Sequence, residues 1–186
     1  MRFHFIDILL FGGLVLGIFF GFRGGLTKKV FNILALIGSI VVATHLMAFV
    51  GGLYLDLIFS SPPVAYAFGF STVIAVLMTG AILLYRKFAS SEMANSTSQG
   101  LGMILGAFEG AMVTSLVLIM LKVLGTPESN ARNSSLLYNP MANFVPKTFD
   151  LMKSYLPGAS DFREELSKTF KDADIFEQVS DTDSDI

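Results

Sequence analysis

Residues 5–22 read FIDILLFGGLVLGIFFGF, an apolar run that is interrupted only by Asp7. About 20 such residues, at a rise of ~1.5 Å each, cross the ~30 Å hydrocarbon core of a bilayer as an α-helix. Three further runs have this length, and they occupy residues 30–50, 64–85 and 101–124. Because the four runs are apolar around the whole helix, they indicate membrane spans rather than core helices of a soluble protein.

The composition of the 186 residues favours the same class. Apolar residues make up 53% of the chain and charged residues 15%, whereas a soluble domain has about 25% charged residues. The absence of cysteine excludes disulfide scaffolds and thiolate sites, and a net charge of −2 offers no broad cationic surface for nucleic acid. We therefore predict an all-α membrane protein, a four-transmembrane-helix bundle, whose surroundings are the lipid bilayer.

The chain changes character after the fourth run. Residues 1–124 contain seven Lys or Arg and four Asp or Glu, whereas residues 125–186 contain six and eleven. We divide this tail into a loop with a surface-lying amphipathic helix (125–157), for which the alternative is a helix that caps the bundle, and an acidic extension (158–186) that ends in disorder. The extension begins with a second amphipathic stripe, formed by Phe162, Leu166, Phe170 and Ala173.

Basic residues near the span ends predict orientation, because Lys and Arg are retained on the cytoplasmic side. The loops expected after the first and third spans carry five of them, namely Arg23, Lys28, Lys29, Arg86 and Lys87. The loop at 51–63 has none. We predict that the first and third loops are cytoplasmic and that both termini are periplasmic. A cleaved signal peptide is the alternative for the first run, but no A-x-A-like site follows it.

Glycine recurs at every fourth position in the first and last spans. The first row comprises Gly13, Gly17, Gly21 and Gly25, and the second comprises Gly102, Gly106 and Gly110. Small residues allow the close backbone approach that holds helices together in lipid. Each row predicts a packing groove, open to a helix of the same chain, to a second copy in a homo-oligomer or to another membrane protein.

Four ionisable residues inside the spans form a candidate polar site, because charge is costly there: Asp7, His45, Glu109 and Lys122. Asp7 and Lys122 lie within one turn of the external ends of their spans, where we expect an interfacial ion pair. His45 lies near enough to join them as a packed neutral imidazole or as a proton-sensitive group.

Glu109 lies near mid-bilayer, beside the groove of the second glycine row. One interpretation is a protonated carboxyl group, hydrogen-bonded to Asn32, Ser39 or Ser71. The other is a proton or cation site. The sequence reveals no second deep charge that would pair with Glu109.

No enzyme motif is present: the sequence contains no P-loop, no G-x-S-x-G, no H-E-x-x-H and no G-x-G-x-x-G after a strand. We predict no catalytic residues, no metal site and no cofactor.

Several motifs, in this order, carry a resemblance to a known family. They are Asp7, GFRG at 21–24, Lys28-Lys29, GMILGAFEG at 102–110, and SLL at 135–137 followed by Pro140. Over about residues 4–157 the chain resembles the colicin V production protein (CvpA) family of bacterial inner-membrane proteins. The chain departs from the family pattern at Ser98-Gln99, where Asp-Arg is usual, and at Glu109, where a basic residue is usual.

The glycine rows, the few deep charges and the amphipathic tail favour a non-enzymatic accessory role, exerted through helix–helix partners, and the resemblance implies what this role supports. The protein would support production or export of the toxin colicin V in hosts that carry it, or maintenance of the envelope. The alternative is a small oligomeric channel or proton-coupled transporter that uses Glu109.

Overall fold

A computed structural model of the chain describes residues 5–88, 96–126, 132, 135–152, 166 and 168. Three helices in this part are long and apolar enough to cross a membrane: α1 (Phe5–Leu57), α2 (Pro62–Phe88) and α3 (Ser96–Val123). Two short helices follow, α4 (Tyr138–Ala142) and α5 (Phe144–Met152). No β-strand occurs among the described residues, and the predicted all-α class is confirmed for them.

A break at Gly25 divides the 53 residues of α1 into two helical segments. Gly25 has φ 69° and ψ 179°, a backbone conformation that is essentially restricted to glycine. The sequence predicted a loop at residues 23–29 between two separate spans. Instead, helix continues on both sides of Gly25, because a single glycine absorbs the whole change of direction. The first two predicted spans thus both fall within α1, and the structure has three long helices.

The segment before the break runs antiparallel to α3. Gly13 lies against Thr114, near the middle of α3, and Gly21 lies against Gly102, near its beginning. As the chain proceeds through residues 5–24, its contacts move from the middle of α3 towards the N-terminus of α3.

After Gly25 the chain turns back along α3. The backbone N–H of Leu26 donates a hydrogen bond to Ser98 Oγ, while the side chain of Asn32 reaches Glu109, eleven residues further along α3. The segment at 26–57 therefore runs parallel to α3, opposite to the segment before it.

The ends of the other long helices follow from local sequence. The pair Pro62-Pro63 begins α2, where a missing backbone N–H costs no helical hydrogen bond. Gly125, with φ 75°, ends α3: its N–H donates to Lys122 O, and the N–H of Thr126 donates to Leu121 O. This pattern is a Schellman motif, which terminates a helix by pairing its last carbonyl groups.

The main core lies where the second segment of α1 meets the other helices. Ile40, Phe70, Met112 and Val145, from α1, α2, α3 and α5 respectively, are each completely buried in it. Many large apolar side chains on the outer faces are exposed, which suits helices surrounded by lipid.

The region in which the sequence placed a surface-lying amphipathic helix contains α5, and its apolar face packs into the bundle. Ser115 of α3 donates a hydrogen bond to Ala142 O and accepts one from the N–H of Val145. The rings of Phe144 and Phe108 meet edge to face, with centroids 5.3 Å apart. The segment thus reaches the middle of α3. Leu166, from the predicted second stripe, is also buried in the core, and apart from the exposed Lys168 the rest of the extension lies outside the described residues.

Candidate functional site

Close contact between the backbones of α1 and α3 positions the site. A Cβ atom added to Gly17 would lie 2.4 Å from the carbonyl oxygen of Gly106, and one added to Gly21 would lie 2.1 Å from that of Gly102. Because real Cβ atoms do not approach backbone so closely, these positions admit only glycine without a shift of one helix. The two glycine rows pack against each other within one chain.

The other members of the rows have different surroundings. A Cβ atom on Gly13 would meet the hydroxyl of Thr114 at 2.7 Å, and one on Gly110 would lie 3.1 Å from the Cα of Gly17. Gly25, the last member of the first row, is the break in α1, and it also lies against α3: a Cβ atom on Gly102 would lie 3.1 Å from the carbonyl carbon of Gly25.

This packing brings Glu109 to the second segment of α1. Lys29 Nζ donates a hydrogen bond to Glu109 Oε2, and the two groups form an ion pair. Asn32 Nδ2 donates to Oε1 at 3.3 Å. Lys29 and Asn32 are three residues apart and therefore share a face of the helix. Both carboxylate oxygens have a donor, and the side chains of Lys29 and Glu109 are only 5% and 14% exposed.

Two predictions about these residues need correction. Lys29 was assigned to a cytoplasmic loop as an orientation signal, but it lies in α1 and is buried. It is also the second deep charge that the sequence did not reveal. The physical reason is the reversal at Gly25, which returns the chain beside α3 within one helical turn, so that a long side chain reaches inwards.

Of the three proposed hydrogen-bond partners of Glu109, the structure places Asn32 at the carboxyl group. The hydroxyls of Ser39 and Ser71 instead donate to carbonyl oxygens four residues earlier in their own helices, at 2.6 Å and 2.8 Å. Such bonds satisfy a hydroxyl inside an apolar bundle without a partner from another helix.

A cavity of about 960 Å³ adjoins the ion pair. Its lining comes from both segments of α1, the C-terminal end of α2 and the part of α3 between Ser98 and Thr114. Three of the five predicted orientation residues lie on its wall in addition to Lys29: Arg23, Lys28 and Arg86. Lys87 does not line the cavity, and its ammonium lies 5.8 Å from the ring centroid of Phe88. The basic residues around the first and third predicted loops therefore meet at one end of the bundle.

Asp7 anchors the other end. It is 1% exposed, and its Oδ1 accepts hydrogen bonds from Ser135 Oγ at 2.6 Å and from the N–H of Leu137 at 3.1 Å. Ser135 Oγ in turn accepts the N–H of Tyr138. Burial raises the pKa of the Tyr138 hydroxyl above its usual value, and nearby Arg132 partly offsets this. The sequence missed Ser135 as a partner because 128 residues separate it from Asp7.

The remaining candidate residues lie apart from Glu109. Lys122 is in the last turn of α3 and is half-buried. His45 is on an exposed face of α1, where its Nδ1 lies 2.9 Å from Val41 O, one turn earlier. The structure thus brings Lys29, Asn32 and Glu109 together as a group that excludes His45.

A second close helix contact was not predicted. A Cβ atom on Gly69 of α2 would lie 2.6 Å from the backbone nitrogen of Gly51, and one on Gly51 would lie 2.8 Å from the Cα of Tyr66. This contact joins α1 to α2. The signal available in the sequence was a glycine before the span, Gly51, together with a glycine near the beginning of the span, Gly69.

Within the described ranges, no group of three or more His, Asp or Glu side chains is arranged to hold a metal ion.

Comparison with known proteins gives one match. A family model described as "Colicin V production protein" matches residues 6–146. No curated protein and no solved structure matches the chain.

Proposed function

The chain belongs to the Colicin V production protein family, and from this membership we propose that it is a non-enzymatic accessory protein of the bacterial inner membrane. Its role is to support production or export of colicin V in hosts that carry the toxin, or to maintain the envelope. The observation that carries the proposal is the family match over residues 6–146, which includes the glycine-packed helices and the anchor of Asp7 at Ser135.

We propose four crossings of the membrane, two of them within α1. Residues 5–24 have a helical length of about 30 Å, which equals the thickness of the hydrocarbon core. The segment at 26–57 runs in the opposite direction and exceeds that length. Each segment is therefore long enough to cross, and Gly25 lies at the turn between them.

The proposed orientation has the cavity end in the cytoplasm and both termini in the periplasm. Arg23, Lys28 and Arg86 line one cavity, so the basic residues of the first and third turns share one end of the bundle. Retention of basic residues in the cytoplasm then favours this end as the inner one. The anchor of Asp7 supports a periplasmic position for the start of α1 and for residues 135–137 alike.

Single cysteines test the orientation directly, because the natural chain has none. Asp56→Cys and Lys87→Cys change exposed residues near opposite ends of α2. In intact spheroplasts, a membrane-impermeant maleimide should label Asp56→Cys, and it should label Lys87→Cys only after the membrane is permeabilised. The opposite pattern would reverse the proposed orientation.

We call the contact of the two glycine rows between α1 and α3 the glycine seam. Helices of a second copy or of another membrane protein are proposed to bind outside this seam. Gly17, Gly21, Gly102 and Gly106 are occupied within the chain, so the seam organises the fold and leaves the outer apolar faces for association. Cross-linking in native membranes, followed by mass measurement, would identify such partners. A monomer with no cross-linked neighbour would contradict this part of the proposal.

Toxin release tests the biological role. In a strain that carries the colicin V genes and lacks its own family member, expression of this chain should restore active toxin in the medium, measured as zones of inhibition. A matched variant, Gly17→Leu, should not restore release, because its side chain forces α1 and α3 apart. Normal insertion of the unaltered chain without restored toxin would overturn the proposed role in colicin V production or export.

The ion pair beside a cavity favours one second candidate, a small oligomeric channel or proton-coupled transporter that uses Glu109. The double substitution Lys29→Met, Glu109→Met distinguishes the two functions, since it removes the charges together. An accessory protein should keep its support of toxin release, whereas a transporter should lose flux in reconstituted liposomes. Flux whose pH dependence is unaltered in Glu109→Gln would exclude a role for the carboxyl group.

A further inference from the structure

The cavity beside Glu109 has walls of two different kinds. The part of the cavity near Gly25 is lined by basic and polar side chains. Another part has apolar walls, which are formed by Leu16, Phe20, Ile82 and Val113. These four side chains are 57%, 58%, 39% and 46% exposed. These side chains belong to membrane-length helices, so this wall of the cavity suits the acyl chains of a bilayer.

The basic part of the cavity holds an excess of positive charge. Arg23 and Lys28 flank the turn at Gly25, Arg86 lies in the last turn of α2, and all three line one space. Glu109 is the acidic residue among the described lining residues, and it is already paired with Lys29. Within the described part of the chain, none of the three converging cations is in an ion pair. They are therefore available to an anion from outside the chain.

Polar groups around the same space suit an anion with several acceptor oxygens. Thr27 and Ser98 also line the cavity, and α3 and the second segment of α1 both begin beside it. Helix beginnings carry partial positive charge from their backbone N–H groups, which adds to the attraction of the basic side chains.

We propose that this cavity binds an anionic phospholipid, with the phosphate diester among Arg23, Lys28 and Arg86 and an acyl chain along the apolar wall. Among the described residues these three cations have no acidic partner, and they match a phosphate that carries a net negative charge. The apolar side chains match a ligand that is anchored in the bilayer rather than free in solution. Orientation signals alone would need basic residues on one side of the membrane, but not their convergence on an amphiphilic cavity.

Native mass spectrometry of the purified full-length protein in detergent tests the charge requirement, independently of insertion direction. Phosphatidylglycerol and phosphatidylcholine with identical acyl chains are the probes, since both have a phosphate and only the first is net anionic. The unaltered protein should bind phosphatidylglycerol about tenfold more tightly, because each basic residue near an anionic headgroup contributes measurably. The variant Arg23→Gln, Arg86→Gln should lose this preference, and the matched control Lys87→Gln should keep it. Equal binding of the two lipids, or a preference that survives the double substitution, would overturn the proposal.

The apolar wall is tested separately. Glycerol phosphate carries the headgroup chemistry without acyl chains and should not displace bound phosphatidylglycerol at equal concentration; effective displacement would overturn the lipid assignment in favour of a soluble phosphate. Val113→Trp fills the wall without changing any charge, and it should weaken lipid binding about tenfold while thermal stability is retained. Because this variant keeps every basic residue, it also decides the proposal if the double arginine variant does not fold. Unchanged lipid binding in folded Val113→Trp would contradict the proposed position of the acyl chain.

Discussion

Lys29 Nζ donates a hydrogen bond to Glu109 Oε2 and joins two charges that lie 80 residues apart in the sequence. Both side chains are nearly shielded from solvent, and Asn32 occupies the second carboxylate oxygen. The pair links the second segment of α1 to α3 at the level where the glycine seam links the first segment to α3. Together with the glycine seam, the ion pair therefore holds both segments of α1 against α3.

Removal of one charge should destabilise the protein far more than removal of both. Lys29→Met leaves the carboxylate without its cation and should lower the free energy of unfolding by about 3 kcal/mol, as for other buried pairs. The double substitution Lys29→Met, Glu109→Met should be close to neutral. Unfolding in mixed micelles of increasing SDS content measures both. Additive losses in the double variant would contradict a direct pairing.

The glycine seam should not tolerate even one methyl group. Gly17→Ala places a Cβ atom 2.4 Å from the backbone of Gly106, so α1 and α3 must separate, at a cost of about 1–3 kcal/mol. Gly12→Ala is the matched control, because nothing lies within 4 Å of its Cβ position. Thermal unfolding in detergent measures the difference. Equal stability of the two variants would show that the seam is not held by close backbone contact.

The anchor of Asp7 should make a measurable contribution to stability. Asp7→Ala removes the acceptor for Ser135 Oγ and for the N–H of Leu137, and hydrogen bonds to charged groups contribute about 1.5–3 kcal/mol each. We expect a loss of about 3 kcal/mol in the free energy of unfolding, together with faster proteolysis near Ser135. Asp56→Ala, at an exposed position, serves as the control. Unchanged proteolysis in Asp7→Ala would mean that residues 135–137 are held by other contacts.

Packing of α5 predicts opposite outcomes for two neighbouring side chains. Phe149 is 1% exposed in the core, so Phe149→Ala should cost about 3 kcal/mol through the cavity that it leaves. Leu151 is 79% exposed, and Leu151→Ala should change stability by less than about 0.5 kcal/mol. Thermal unfolding of the two variants, side by side, provides the measurement. A helix lying loosely on a membrane surface would instead show small effects at both positions.

Several features were predictable from local patterns. Apolar length is a property of each segment alone, so the membrane-length helices at 62–88 and 96–123 were close to their predicted bounds. Four-residue spacing places glycines on one face of a helix, independently of the helix that packs there. The glycine rows of α1 and α3 do contact each other. That Asp7 takes a partner also follows a local rule, since a charge within an apolar span needs one, but the partners Ser135 and Leu137 were not foreseen, and pairing with Lys122 stays a prediction.

The all-α membrane class could be predicted from the amino-acid sequence alone, because hydropathy and periodicity depend on neighbours within a few turns of helix. The sequence did not determine which distant groups meet. The turn at Gly25 depends on a backbone angle, and the basic residues around it suggested a loop, whereas helical hydrogen bonds continue on both sides. That one turn places Lys29 against Glu109 and gathers Arg23 and Arg86 around a cavity. These contacts become visible only in the folded chain, because a charge count along the sequence takes no account of the direction in which each side chain points.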